Sequence, residues 1–293
     1  MKKSSIFALM FLINISALAQ IKGIVKDSIT GKAIPYVNIS VENENLGTTS
    51  EENGEFTIHI SQKSKQLIFS ALGFEKKTIS ISKVSEVNLK PTAFQLDEVV
   101  ISKRFGTREK EIGTSENQIY EAFDNGPRID AKFFPYFPSY KRTKFIKQVV
   151  IVTDSKIDDA IFKIHFYSVD SNGFPGDEIL DKDFIVSVNK GVKETKFNVT
   201  KFNLRMPKQG IFVGFEKLMI AKNKVEKTVS NANTKTIETQ TTYFPFVLYN
   251  SVKRDFVFAF SGGKWIRKST QNENDPSEKI TVYEPAINLI LTN

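Results

Sequence analysis

Six residues, EFTIHI (55–60), put Phe56, Ile58 and Ile60 on one side of the chain and Glu55, Thr57 and His59 on the other. A period of two is the signature of an extended strand, whose side chains alternate between faces, so this segment predicts a strand with one buried face. The same period runs through PYVNISV, with Val37, Ile39 and Val41 together, and through DAIFKIHFYSV, with Phe162, Ile164 and Phe166 together. Turn formers such as DSITG, NENLG, EENG and LGF separate the runs in residues 21–90. About seven short strands punctuated this way predict a small antiparallel sandwich. From Lys144 onward about ten longer candidates follow, among them KFIKQVVIV, GIFVGFEKL, YFPFVLY, FVFAF, KITVY and AINLIL. The unbroken apolar runs GIFVGF and FVFAF predict central strands covered on both faces. So many strands with one inward face need a second sheet, and the expectation is a larger antiparallel sandwich of jelly-roll type.

Residues 92–143 read differently. A short β-branched strand in LDEVVIS leads into a polar stretch of mixed charge, and then into RIDAKFFPYFPSY, broken by Pro135 and Pro138. This reads as a linker lying along the second domain, with Phe133, Phe134, Tyr136 and Phe137 partly packed. The stretch 222–242 alternates weakly and fits a hydrophilic hairpin or a loop.

The first 19 residues read as a secretory signal: Lys2 and Lys3, an apolar run from Ile6 to Ile15, and Ala17-Leu18-Ala19 before Gln20. The chain has no cysteine, which excludes disulfides, thiolate chemistry and a lipid anchor on cysteine. No later run approaches the length of a membrane-spanning helix. The net charge of +8 falls to +6 without Lys2 and Lys3. In an exported protein that surplus suits a solubilising surface, or contact with a surface of anionic lipid or polysaccharide, and nucleic acid is not expected.

Motifs in the front segment carry a resemblance. Gly23 to Pro35 (G-x-V-x-D-x-x-T-G-x-x-I-P), then Thr49, Gly54 and Phe56, then Leu67 to Phe74 (L-x-x-S-x-x-G-F) resemble the carboxypeptidase-regulatory-like domain. That resemblance implies a transthyretin-like or Ig-like β-sandwich acting as an accessory module in exported Bacteroidetes proteins. It implies no peptidase, because the catalytic zinc domain it accompanies elsewhere is missing. Phe166 to Gly176, Gly210 to Glu216 and Ser261 to Trp265 resemble the C-terminal region of uncharacterised exported proteins of the same group. LDEVVISK (96–103) resembles the junction where a TonB-box-like strand precedes the plug and barrel of an outer-membrane transporter. The 190 residues after Lys103 are too few for such a barrel and plug. The expected division is therefore signal 1–19, regulatory-like sandwich 20–91, linker with a TonB-box-like strand 92–143, and jelly-roll-like sandwich 144–293.

Catalytic patterns are sparse. His59 and His165 alternate opposite apolar neighbours, so both are expected at the surface, and neither has a third imidazole or a thiolate to complete a zinc site or triad. No nucleophile-elbow, dinucleotide or Walker spacing occurs. Acid pairs at Asp158-Asp159, Asp177-Glu178 and Asp181-Asp183 leave room for a two-carboxylate glycan hydrolase. The loop DSNGFPGDEILDKD (170–183) offers Asp170, Asn172, Asp177 and Asp181 as hard ligands for calcium; no other cofactor is expected. Trp265, Tyr243, Tyr249 and Tyr283 are candidates for a sugar-stacking platform. Asp97, Glu98, Val99, Val100 and Ile101 are candidates for a strand that pairs within the chain or adds to a partner's sheet. The leading expectation is a non-catalytic exported protein, periplasmic or associated with the outer membrane or cell surface, that binds an envelope glycan or protein. The alternatives are the hydrolase and a small outer-membrane β-barrel behind a periplasmic domain.

Overall fold

The computed structural model describes residues 19–60, 65–92, 106–114, 120–230, 237–253, 256–269, 271–272, 275–279 and 281–293. The expected signal up to residue 18 and the candidate partner strand Asp97–Ile101 lie outside these. The architecture is all-β: a small sandwich followed by a larger jelly-roll-like one, with four short 3-10 turns and no α-helix among the described residues.

The front unit comprises β1 (Ala19–Asp27), β2 (Asn38–Val41), β3 (Gly47–Thr49), β4 (Glu55–Ile60), β5 (Gln66–Ser70), β6 (Lys77–Ser80) and β7 (Glu86–Leu89). They form two sheets, ordered β4-β1-β7 and β3-β2-β5-β6. EFTIHI is β4, and its residues alternate between exposed and buried as the period required. Its inner face meets Val25, Ile39, Leu67, Phe69 and Val87, with Phe56 edge-on to Phe69 at 5.6 Å. Gly54 precedes β4 at φ +78°, where a Cβ would lie 2.7 Å from the Val25 carbonyl, so glycine is required. One pairing departs from the all-antiparallel expectation: β7 runs parallel to β1. The chain reaches β7 after passing through the other sheet, so the direction of its return is not set by a hairpin.

The second unit comprises β8 (Glu109–Ile112), β9 (Tyr120–Ala122), β10 (Ile129–Phe134), β11 (Phe145–Ser155), β12 (Ala160–Val169), β13 (Pro175–Glu178), β14 (Phe184–Val188), β15 (Gly191–Asn198), β16 (Ile211–Lys217), β17 (Lys224–Ser230), β18 (Ile237–Tyr243), β19 (Phe246–Lys253), β20 (Phe256–Ser261), β21 (Lys264–Ser269), β22 (Gln271–Asn272), β23 (Asp275–Lys279), β24 (Thr281–Pro285) and β25 (Ile287–Thr292). One seven-stranded sheet runs β13-β12-β16-β10-β20-β21, with β14 also on β12. The other runs β24-β19-β11-β25-β8, with β15 on β11 and β9 on β19. Phe162, Ile164, Phe166, Val213 and Phe215 from the first meet Val149, Ile151, Val247, Leu289 and Leu291 from the second in one apolar core. The described strands thus make two open sheets over a packed interior, where an outer-membrane barrel requires one closed ladder.

Residues 92–143 do not simply link. They supply β8, β9 and β10, and β10 sits in the middle of its sheet between β16 and β20. Within this supposed linker, the charged Asp130 and Lys132 are both buried. Asp130 pairs with Arg128, and Lys132 pairs with Glu284 at 3.0 Å. Phe134 is buried, Phe133 and Tyr136 are half-buried, and Phe137 is exposed. The stretch 222–242 contains the β17–β18 hairpin, whose described residues are mostly exposed.

The front unit covers part of the outer face of the β12–β16 sheet. Tyr36 packs with Ile161, Leu218 and Ile220, and the Thr49 hydroxyl accepts the Met219 amide at 3.0 Å. The β20–β21 turn, Ser261 to Lys264, fits against the front loops: Ser261 bonds Asn45, Lys264 bonds Asn43, and Lys76 reaches the Gly263 carbonyl. Gly263 sits at φ +82°, and a Cβ there would stand 2.3 Å from Ile68, so this turn and that side chain fit only with glycine.

Candidate functional site

Two polar clusters stand out, and they differ in access. The first is closed. His165 on β12 lies between Glu178 on β13 and Glu216 on β16, each 2.9 Å from a ring nitrogen. Glu216 also accepts from Asn38 of the front unit at 2.8 Å, while Lys163 pairs with Asp183 and donates to the Tyr36 carbonyl. Burial opposes charge on the imidazole, but the two carboxylates outweigh it and hold its pKa up at about 10. Burial likewise opposes ionisation of Glu216, but His165, Lys163 and Asn38 pull its pKa down to about 2. Tyr167 stacks on His165 at 5.5 Å. His165 therefore does face away from the sandwich core, as its alternation required, but the front unit roofs that face and the residue is buried.

The second cluster is open. At one margin of the larger sandwich, a narrow, half-open recess lies between the two sheets. It is lined by Phe123, Asn125 and Gly126 of the loop before β10, by Arg128 and Asp130, by Phe215 and Lys217 of β16, and by Phe246, Val247 and Tyr249 of β19. Arg128 holds Asp130 through two nitrogens, at 2.6 and 3.0 Å, and the Tyr249 hydroxyl donates to Asp130 at 2.7 Å. Burial, and then Asp130, push the Tyr249 phenol well up, so it stays a neutral donor. Asn125 donates to the same hydroxyl at 2.8 Å. The Lys217 ammonium lies 4.8 Å over the Phe246 ring and is paired at 2.7 Å with Asp124.

At the rim, Phe123 packs on Tyr249 at 5.5 Å and edge-on to Tyr283 of β24 at 5.1 Å. Phe123 is 38% exposed and Tyr283 47%, so this pair presents ring surface to solvent beside the polar lining. The front unit braces the loop that carries it: Asn45 donates to the Asn125 carbonyl at 3.1 Å, and Pro127 lies against Gly47.

The four aromatics expected to form one platform are divided. Tyr249 and Tyr283 meet through Phe123. Tyr243 stands half-buried at the end of the β17–β18 hairpin, opposite Lys224. Trp265 packs edge-on to Tyr167 and Phe260, at 5.1 and 5.4 Å, in an apolar cluster on the outer face of the other sheet. Phe123, Asn125, Arg128 and Lys217 were missed by sequence reasoning. Three fell in the supposed linker, and Lys217 ends a run that reads as a buried strand.

The expected calcium ligands do not converge. Asp170 Oδ1 accepts the amides of Asn172 and Phe174, both at 2.8 Å, so this carboxylate closes a turn. Asn172, Asp177 and Asp181 are exposed, and among the described residues no three His, Asp or Glu side chains group as metal ligands. The paired acids are likewise engaged or apart: Asp158 accepts the Lys190 amide, Glu178 holds His165, and Asp183 holds Lys163.

Comparison with known proteins agrees with the front unit. Residues 21–101 match the family model of the CarboxypepD_reg-like domain. A TonB-dependent receptor, P3, from Formosa agariphila is 27% identical over 125 residues, which is 41% of this chain and 12% of the receptor. The chain thus corresponds to a small fraction of that receptor's length. A crystal structure of a candidate carbohydrate binding protein from Bacteroides uniformis aligns over 79% of this chain and 98% of its own, at 9% identity and a TM-score of 0.20, too low to carry an argument. The front segment, residues 21–101, is a CarboxypepD_reg-like domain.

Proposed function

We propose that this chain is a non-catalytic, exported cell-envelope protein that binds a glycan at the cleft between the two sheets of its larger sandwich. The observation that carries the reading is the exposed Phe123–Tyr283 pair standing beside a lining of fixed donors and acceptors. A sugar ring has apolar C–H faces and a polar edge, and it fits a site where aromatic surface adjoins oriented hydrogen-bonding groups. The Arg128–Asp130–Tyr249 network holds those groups in place before a ligand arrives, which lowers the cost of ordering them on binding.

The likeness to a TonB-dependent receptor and the front domain support an envelope location. The non-catalytic reading rests on how the acids are used: Asp130 is held by Arg128 and Tyr249, and Glu178 and Glu216 are locked on a buried imidazole. Envelope polysaccharides presented on an array to the purified chain test the proposal, with Tyr283→Ala and Phe123→Ala beside it. Retention by the parent chain, weakened in both variants and without release of reducing ends, is the expected result. Retention unchanged in both variants would place the ligand elsewhere, and release of reducing ends would revive the hydrolase.

A further inference from the structure

The lining of the cleft contains an asymmetric ion pair. Lys217 ends β16 with its side chain only 6% exposed, over the Phe246 ring. Its partner Asp124 is 51% exposed and sits on the loop before β10, not on either sheet. A buried ammonium needs an anion, because removing it from water unpaired costs several kcal/mol. The carboxylate that supplies this one stands in solvent on a loop. By contrast, Asp130 is itself buried, and its two oxygens take three hydrogen bonds from Arg128 and Tyr249. Asp124 accepts the Lys217 ammonium and caps the Gly126 amide weakly, at 3.4 Å through the same oxygen.

From this difference we infer that Lys217 is an anion-recognition residue, and that the cleft prefers a sugar carrying a carboxylate or sulfate whose oxygen takes the place of Asp124. The inference rests on the proposed glycan-binding reading and adds the charge class of the ligand. Arg128 lines the same cleft, but its charge is taken up by Asp130 through two nitrogens, which leaves Lys217 as the lining cation whose counter-ion is exposed. With Phe123 and Tyr283 at the mouth, the ring rests on the aromatic rim while its acidic substituent reaches inward to Lys217. Exchanging one anionic oxygen for another leaves the buried ammonium paired before and after, and the side chain displaced is one already half in solvent.

The test measures affinity for three polymers on one backbone: dextran, carboxymethyl dextran and dextran sulfate. Carboxymethyl and sulfate arms separate the two acid chemistries. Lys217→Met is expected to lower affinity for one or both charged polymers about tenfold, with a smaller change for neutral dextran. Asp124→Asn leaves the buried ammonium facing a neutral amide, so its melting temperature is measured first; in the folded variant it is expected to raise affinity for the same polymer severalfold by removing the competing charge. Lys193→Gln, on the exposed face of β15, controls for general attraction of polyanions to a basic protein and is expected to change little. Equal affinity for neutral and charged polymers, or an effect of Lys193→Gln as large as that of Lys217→Met, overturns the inference while leaving glycan binding in place. An unchanged or lower affinity in Asp124→Asn overturns the exchange of Asp124 for the ligand. Failure to bind any of the three and any polysaccharide on the array removes both readings.

Discussion

The two ionic clusters use the same chemistry to different ends. Around His165, five charged groups and Asn38 pair with one another beneath the front unit, and one Asp183 oxygen is left buried without a partner among the described residues. Around Lys217, the opposing charge comes from an exposed loop, and the half-exposed rings of Phe123 and Tyr283 stand at the rim of the same cleft. The first arrangement ties two units together; the second pairs a buried cation with a carboxylate that stands half in solvent. What separates them is who supplies the counter-charge, since both contain buried cations and carboxylates.

The largest expected effect comes from opening the closed cluster. Glu216→Ala leaves the protonated His165 and Lys163 short of a buried counter-charge, and is expected to cost about 3–5 kcal/mol in a denaturant titration. A cost below about 1 kcal/mol would mean that water already reaches the cluster and that it is no more closed than the cleft.

A pH series sharpens the same contrast. His165 has its folded pKa raised from 6.5 to about 10, so its contribution is fully present below pH 6.5 and is lost as pH rises through 10. Glu216 has its folded pKa lowered from 4.5 to about 2, so its contribution is present above pH 4.5 and is lost as pH falls through 2. Both contributions are complete between pH 4.5 and 6.5, and the melting temperature is expected to decline on either side of that window. His165→Gln is expected to flatten the alkaline decline; a slope that persists assigns it to other groups.

At the cleft the expected effects reverse, with small changes in stability and larger ones in binding. Tyr283→Ala, at a half-exposed rim position, is expected to change stability by less than about 0.5 kcal/mol and to weaken glycan retention by about 0.5–1.5 kcal/mol. A loss of stability greater than the loss of binding would make Tyr283 a packing residue and erase the distinction. The smallest effect concerns the 170–183 turn. Adding calcium or chelator is expected to leave the melting temperature unchanged, because Asp170 is occupied by amides. A rise with calcium would restore the metal reading.

Some of this was legible in the residues alone. Period-two alternation located β4 and β12 with the correct inward faces, because side-chain direction along a strand is a local property. Gly23 to Pro35 and Leu67 to Phe74 identified the front module, whose turns and strand starts are also local. The chain could not show in advance that the polar face of β12 would be roofed, since that depends on Tyr36, Asn38 and Thr49, more than 100 positions away. For the same reason the burial of Asp130 and Lys132 was not legible: their partners Tyr249 and Glu284 come from the opposite sheet.

Alternation, turn chemistry and the absence of cysteine determined an all-β chain with a recognisable front module, because each depends on neighbours within a few residues. The tertiary structure alone decided which charges are sealed and which stay accessible. A charged side chain is stable in the interior only when a distant strand brings its partner, and the order of strands in the sheets sets that meeting. His165 and Lys217 illustrate both outcomes, one enclosed by a second unit and the other paired with a half-exposed carboxylate on a loop.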